Sequence, residues 1–406
     1  MDTVAELVHP ISGNNRIMNI MKKTASTTLM TLIATLLVVT AGPLSAVPFD
    51  SGSDGSYGAI DVTNSMTLDI PSNGVFNCTT IAVRNGTTLY FRTNALNTPV
   101  YLLAQGDVVI EGSASIEVNG QDVNGSVPGP GGPGGFAGGF GEFQGYPAGD
   151  GLGPGGGTQS NGYNAASAVP SNTGNTNVYG NTLCVPLVGG SGGAGNSGGA
   201  GGVGGGGGGG GAILIASNTR ITVRGTIYAY GGPGGNGNHG SGGMIHLVAP
   251  IVDGNRNGQR GDGINFYVVN TGDASGGRVR IDTLNRLAWR NLVFSGKWTV
   301  GTQMFTGLGD PRRLDIIEAA GRSIPLGTAD RVVINLPLGS DTNQIVRVRA
   351  SGFTNDVPIT VAVIPENGGS TRYDAVIPAT GGNPSTNAVN VVVPVDSVTY
   401  VQVWSK

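Results

Sequence analysis

Short apolar runs broken by single glycines dominate the first half of the chain. Cys78 to Val83, Thr87 to Phe91, Val100 to Ala104, Asp107 to Glu111 and Ser115 to Val118 follow one another closely, punctuated by Gly86, Gly106, Gly112 and Gly120. Runs this short, rich in Val, Ile and Thr and separated by tight turns, predict β-strands and no helices. The pattern then returns. Tyr101-Leu102-Leu103-Ala104, followed by Val108 to Gly112 and Ile116 to Val118, is matched about one hundred residues later by Ile213 to Ala216, Ile221 to Gly225 and Ile227 to Ala229. A broken third copy starts at Ile245 to Ala249, and a fourth short strand, Arg278 to Asp282, follows Gly276-Gly277. Units of this size cannot bury their apolar faces alone, but successive coils about 4.8 Å apart share one core. The expected fold is all-β: a parallel β-helix-like solenoid with coils over 47–128 and again over 212–283, separated by an insert at 129–211.

Beyond Asp330 the pattern changes. Apolar and polar residues alternate over Val332 to Leu336, Ile345 to Ala350, Ile359 to Ile364, Arg372 to Ile377, Ala388 to Val393 and Thr399 to Trp404. Six strands of that kind predict a small Ig-like β-sandwich over 330–406, with 284–329 as a connector.

Composition sharpens the reading of the insert. The chain has 406 residues and 74 glycines, of which 44 lie between Gly129 and Gly243. Gly204 to Gly211 is an unbroken run that ends directly in the strand-like Ala212 to Ser217. Glycine has the most backbone freedom to lose on ordering, so the run is either a floppy loop or a packed array that tolerates no side chains. Gly129-Pro130-Gly131-Gly132-Pro133-Gly134-Gly135 and Gly231-Gly232-Pro233-Gly234-Gly235 favour the extended threefold polyproline II conformation. A strict Gly-X-Y period is absent, which excludes collagen. Polyglycine strands of this type can lie side by side and bond laterally through their backbones.

Residues 1–46 carry the marks of an export signal: Met21-Lys22-Lys23, an apolar core from Leu29 to Ala41, and Leu44-Ser45-Ala46 as a cleavage site. Met18 or Met21 is an alternative start. The apolar core is too short to span a bilayer, and no later stretch is long and apolar enough either. The formal net charge is -3, and no basic cluster stands out, so the sequence gives no support for nucleic-acid binding. In an oxidising compartment the two cysteines, Cys78 and Cys184, are expected to form a disulfide.

Candidate chemistry is sparse. Asp253-Gly254-Asn255-Arg256-Asn257-Gly258 has the alternating oxygen ligands and glycine of half a calcium loop, with Asp253, Asn255 and Asn257 as ligands. The position that needs a bidentate Glu holds Ile264, so calcium is the one cofactor suggested, by an incomplete motif. Arg260-Gly261-Asp262 is an integrin-type tripeptide, a pattern that recurs by chance. Glu111 and Glu117 flank a glycine turn, and paired carboxylates can run glycosidic chemistry. His239 falls in a glycine loop and His246 is expected to face outward from its strand; neither has a nucleophile or metal-ligand partner at motif spacing. Phe136, Phe140, Phe143 and Tyr146, with Tyr163 and Tyr179 further on, stud the first glycine-rich insert, either stacking on sugars or folding back onto the core.

Asn97-Thr98-Pro99-Val100-Tyr101-Leu102-Leu103-Ala104, Gly189-Gly190-Ser191-Gly192-Gly193 and Gly211-Ala212-Ile213-Leu214-Ile215-Ala216-Ser217 carry a resemblance. The chain resembles a loose group of exported bacterial glycine-rich proteins with a β-solenoid core and a C-terminal β-sandwich. The resemblance covers most of 75–282 and implies architecture without an activity. Glycine-helix arrays on some phage adhesins are similar in form only. The expected function is an exported, non-catalytic structural or adhesive protein at the cell surface or outside the cell, with surface polysaccharide or other copies of itself as partners. The alternative is a solenoid that binds or cleaves polysaccharide, as a lyase or glycoside hydrolase does.

Overall fold

A computed structural model describes residues 48–159, 163–198, 204–235, 238–254, 265–267, 276–295, 297–309, 312–326, 332–379, 382–394 and 396–406. The fold is all-β. The strands are β1 (Gly58–Val62), β2 (Met66–Asp69), β3 (Val75–Val83), β4 (Thr88–Arg92), β5 (Val100–Ala104), β6 (Val108–Ile110) and β7 (Ser115–Glu117). After the glycine-rich insert come β8 (Ala212–Ser217), β9 (Arg220–Val223), β10 (Thr226–Tyr228), β11 (Met244–Val248), β12 (Ile251–Gly254), β13 (Asn265–Tyr267), β14 (Arg278–Asp282), β15 (Val293–Ser295) and β16 (Lys297–Gly301).

These strands stack in three parallel rows. Row one is the first half of β3, then β5, β8, β11, β14 and β16. Row two is β1, the second half of β3, β6, β9 and β12. Row three is β2, β4, β7, β10, β13 and β15. The chain visits the rows in turn, so the sheet curls round one interior. Side chains alternate across each strand, and in-register stacking lines up like with like. Phe76, Leu102, Ile215, Leu247 and Ile281 form one inward line, and Leu89, Ile116 and Ile227 another, all fully buried. Burying each such side chain contributes about 1.5–3 kcal/mol.

The outward side of row one is also covered. Leu103, Leu214, Met244 and Val248 pack under Cys184, Leu187, Met304 and Leu308. Row one therefore separates two apolar clusters, and the two cysteines lie in different ones: Cys78 inward, Cys184 outward. Both are free thiols, which corrects the expected disulfide. The strand wall of row one stands between them.

The C-terminal part adds β17 (Arg313–Ala319), β18 (Arg322–Ser323), β19 (Asn343–Ser351), β20 (Val357–Pro365), β21 (Thr371–Ile377), β22 (Ser385–Val392) and β23 (Thr399–Ser405). Two antiparallel sheets, β18-β17-β19-β22 and β21-β20-β23, enclose a second core built on Val346, Val348, Ile359, Val361 and Val391. Two expectations change here. The stretch read as a connector contributes β15 and β16 to the rows and β17 and β18 to an antiparallel sheet. Val332 to Leu336, expected as a strand, is extended chain without a ladder partner among the described residues. No helix among the described residues is long and apolar enough to cross a membrane.

Candidate functional site

The glycine-rich segments leave the rows at the corner between rows three and one, after β7 and β10, and return as β8 and β11. Gly204 to Gly211 lies at their centre, wholly buried. Its hydrogen bonds repeat every three residues. The N–H groups of Gly205, Gly208 and Gly211 donate to the carbonyls of Gly125, Gln121 and Val118 at 3.0, 3.1 and 2.6 Å. Those of Gly206, Gly209 and Ala212 reach Gly139, Phe136 and Pro133 at 2.8, 2.8 and 2.7 Å. Those of Gly207 and Gly210 reach Asn238 and Ser241, both at 2.9 Å. The carbonyls follow the same period, accepting from Asn196, Gly193 and Gly190 on one side, from Gly129 and Gly132 on a second, and from Gly235, Gly232 and Met244 on a third. One strand thus binds six neighbours through its backbone, which satisfies groups that burial would otherwise leave orphaned. Added Cβ atoms would lie 1.9 Å from the Pro130 carbonyl oxygen at Gly208 and 2.0 Å from that of Gly190 at Gly209. The close approach explains why eight consecutive positions carry no side chain.

The far end of this array carries two tied hairpins. In the first, Phe143 and Tyr146 exchange backbone hydrogen bonds at 3.2 and 2.9 Å across Gln144 and Gly145, whose φ angles of 49° and 86° are both positive. That is a type I′ turn, which needs left-handed backbone at both central positions. Residues directly opposite one another across a hairpin project on the same face. The two rings there are 57% and 59% exposed. In the second hairpin Asn124 and Val127 exchange bonds at 3.1 and 3.0 Å, and Val127 is 52% exposed. The Gly141 N–H donates to the Ser126 carbonyl at 2.8 Å and binds the two hairpins together.

The four candidate aromatic residues therefore divide. Phe143 and Tyr146 stand out at the tip, whereas Phe136 and Phe140 are half-buried, with Phe136 packed against Gly153. Tyr179 is held inside, its hydroxyl donating to the Gly189 carbonyl at 2.7 Å and accepting from Ser191 at 3.0 Å. The turn residues Gln144-Gly145 were the sequence signal that could have separated tip from array.

The other candidates are scattered. Asp253 lies 3.8 Å from Arg220 on the neighbouring strand of row two, while Asn255 and Asn257, like Arg260-Gly261-Asp262, fall outside the described residues. No group of three His, Cys, Asp or Glu side chains able to hold a metal occurs among the described residues. Glu111 is engaged by Arg84 at 3.3 Å and by the Asn85 N–H at 2.9 Å. Glu117 accepts from Ser115 and Asn119, and burial raises its carboxyl above the usual range against those two hydrogen bonds.

One buried cluster was missed. His246 faces outward from row one as expected, yet is only 1% exposed beneath the covering segments. Its Nε2 is 3.0 Å from an Asp282 oxygen, and Arg280 donates to the same carboxylate at 2.8 and 2.5 Å. Burial holds the imidazole below its ordinary range against the pull of Asp282. Burial would raise Asp282, but hydrogen bonds from His246 and Arg280 hold it below the carboxylate range. Cys184 sits in the same layer, its thiol pushed up to about 12 by burial, so it is protonated at neutral pH. No signal in the sequence joins His246 to Asp282, because only the row-one register brings β11 beside β14.

Comparison with family models, with curated proteins and with solved structures returns no match.

Proposed function

We propose that this is an exported, non-catalytic adhesive protein. In this reading the three rows are a β-solenoid stalk, the glycine-rich segments form a bundle of polyproline II-type helices, and the C-terminal sheets are an Ig-like sandwich braced against the bundle. The tip hairpins are the contact surface, and surface polysaccharide is the partner.

One observation carries the reading: two aromatic rings share one face of a rigid turn, both more than half exposed, at the end of an array built from backbone alone. Aromatic faces of this kind stack on the apolar faces of sugars, and a held turn lowers the ordering cost of binding. The non-catalytic part is supported by Glu111 and Glu117, each already committed to partners within the fold.

The test is glycan retention by Phe143→Ala/Tyr146→Ala. Retention on the polysaccharide bound by the native protein should weaken at least about tenfold, or about 1.4 kcal/mol, with the thermal midpoint unchanged because both rings are solvent-facing. Unchanged retention in that variant would remove the tip as the binding surface.

A further inference from the structure

The two ends of the row stack are incomplete in complementary ways. Among the described residues, the first turn holds β1 in row two and β2 in row three, with no strand in row one. The last turn, among the described residues, holds β16 alone, in row one. Among the described residues, no strand pairs with the outer edges of β1, β2, β15 or β16. We propose that copies of this chain assemble head to tail, β16 of one copy and the β1–β2 pair of the next completing one shared turn. The proposal rests on the solenoid reading above and does not depend on the tip.

The register fits. Val300 follows the line Ile281, Leu247, Ile215, Leu102 and Phe76. Carried one turn further, Lys297 to Val300 lie over residues 73–76 of the next copy; at Asn77 the outer carbonyl already accepts from the Tyr57 N–H at 2.8 Å, and β1 of that copy takes up the ladder with Gly58 opposite Cys78. Row three continues in the same way, β2 of the next copy stacking on β15.

Side-chain exposure marks the same two ends. Trp298 belongs to the inward line of Val279, Ile245, Ile213 and Val100, which are all fully buried, yet it is 48% exposed. Met66 belongs to the inward line of Leu89, Ile116 and Ile227, also fully buried, yet it is 40% exposed. Trp298 stacks on Phe294 with centroids 5.4 Å apart, so the last turn presents a flat aromatic surface. By register, Met66 of the next copy falls on Phe294, and thioether–aromatic contacts are favourable.

Charge agrees. Arg286, Arg290 and Lys297 are exposed at the β15–β16 end of the rows, and no acidic residue occurs from 283 to 309. Asp54, Asp61 and Asp69 are exposed at the first turn; Asp61 and Asp69 are paired within the chain to Arg84 and Arg92, one turn further in. Among the described residues, the chain after β16 runs back along the outer face of row one, where Met304 and Leu308 pack.

A head-to-tail contact of this kind does not close on itself and produces filaments. With six strands in row three and about 4.8 Å per strand, the axial repeat is about 29 Å. Sedimentation of the purified protein from micromolar to millimolar concentration reads the assembly, and electron microscopy reads the repeat. Native protein should grow with concentration and shrink with added salt. Met66→Lys blocks the head and Trp298→Lys the tail; each alone should stay monomeric, and their equimolar mixture should give a dimer and nothing larger. Arg290→Glu/Lys297→Glu keeps the aromatic surface and should behave as the tail variant does, including dimerisation with Met66→Lys. A native protein that stays monomeric throughout would overturn the proposal. So would a dimer that survives in either single variant, which denotes a symmetric contact. Neither readout involves glycan, so failure here leaves the tip reading untouched.

Discussion

Gly208 and Gly369 make the sharpest contrast between single residues in this molecule. A Cβ at Gly208 would meet the Pro130 carbonyl oxygen at 1.9 Å, and backbone on every side prevents relief. At Gly369 a Cβ meets nothing within 4 Å. Gly208→Ala is expected to lose more than about 3 kcal/mol of stability, and Gly369→Ala to stay within about 0.5 kcal/mol of the native protein. Chemical denaturation of the two variants checks this, and equal midpoints would count against a packed array. His246 belongs at the same scale. Its folded-state pKa lies below the ordinary 6.5, so above that pH it is neutral in both folded and unfolded chains. As pH falls through about 6.5 the unfolded chain takes up a proton that the buried imidazole refuses, and stability drops. Asp282, lowered from 3.8, contributes a second loss at more acid pH. Thermal midpoints from pH 8 to 5 should show the first step in the native protein and lack it in His246→Gln.

At the scale of elements, the central glycine strand should behave as core. Every amide from Gly205 to Gly211 donates to a neighbouring segment inside the array, so these amides should exchange with solvent as slowly as those of β8. Exchange within seconds would mean that the bonds are not held in solution. The parallel rows were legible because the repeat spelled out most of the ladder: Val108 pairs with Ile221 and Ile213 with Ile245, as the sequence copies align, whereas Tyr101 falls opposite Leu214, one residue away from the Ile213 that the copies set against it. The array was legible only as a choice between packed and floppy, since a run of identical residues contains no register. Its neighbours are specified elsewhere, by Pro130, Pro133 and the hairpin turns at Gly125 and Gly145. The sequence misled at Val332 to Leu336, where apolar composition was right for a strand but composition does not say whether a sheet edge receives it. The cysteines misled for a related reason: two thiols in one chain say nothing about which face of a sheet each occupies.

For the whole molecule, the C-terminal sheets meet the glycine array through a few polar bonds. Asp150 accepts from the Ser370 N–H and hydroxyl, both at 2.7 Å, and Gln402 accepts from the Gly153 N–H at 3.0 Å. Arg372 donates to the Pro154 carbonyl at 3.1 Å. Asp150 is 6% exposed, and its removal leaves the Ser370 donors without their acceptor. Asp150→Ala should therefore weaken this junction by about 1–3 kcal/mol. Faster limited proteolysis near 366–370, with the row core still resistant, would show it; an unchanged digestion pattern would mean that the contact is dispensable.

The period of three in the array restricts how such a protein can change length. Each position in Gly204 to Gly211 is addressed to one of three directions, and its neighbours are placed to match. Inserting one glycine turns every following donor by about 120°, so each amide after it points at the wrong partner. Inserting three returns all of them to their addresses, one helical turn further along. Glycine tracts built this way can therefore lengthen or shorten only in triplets of residues, nine bases at a time, although any one glycine looks interchangeable with the next.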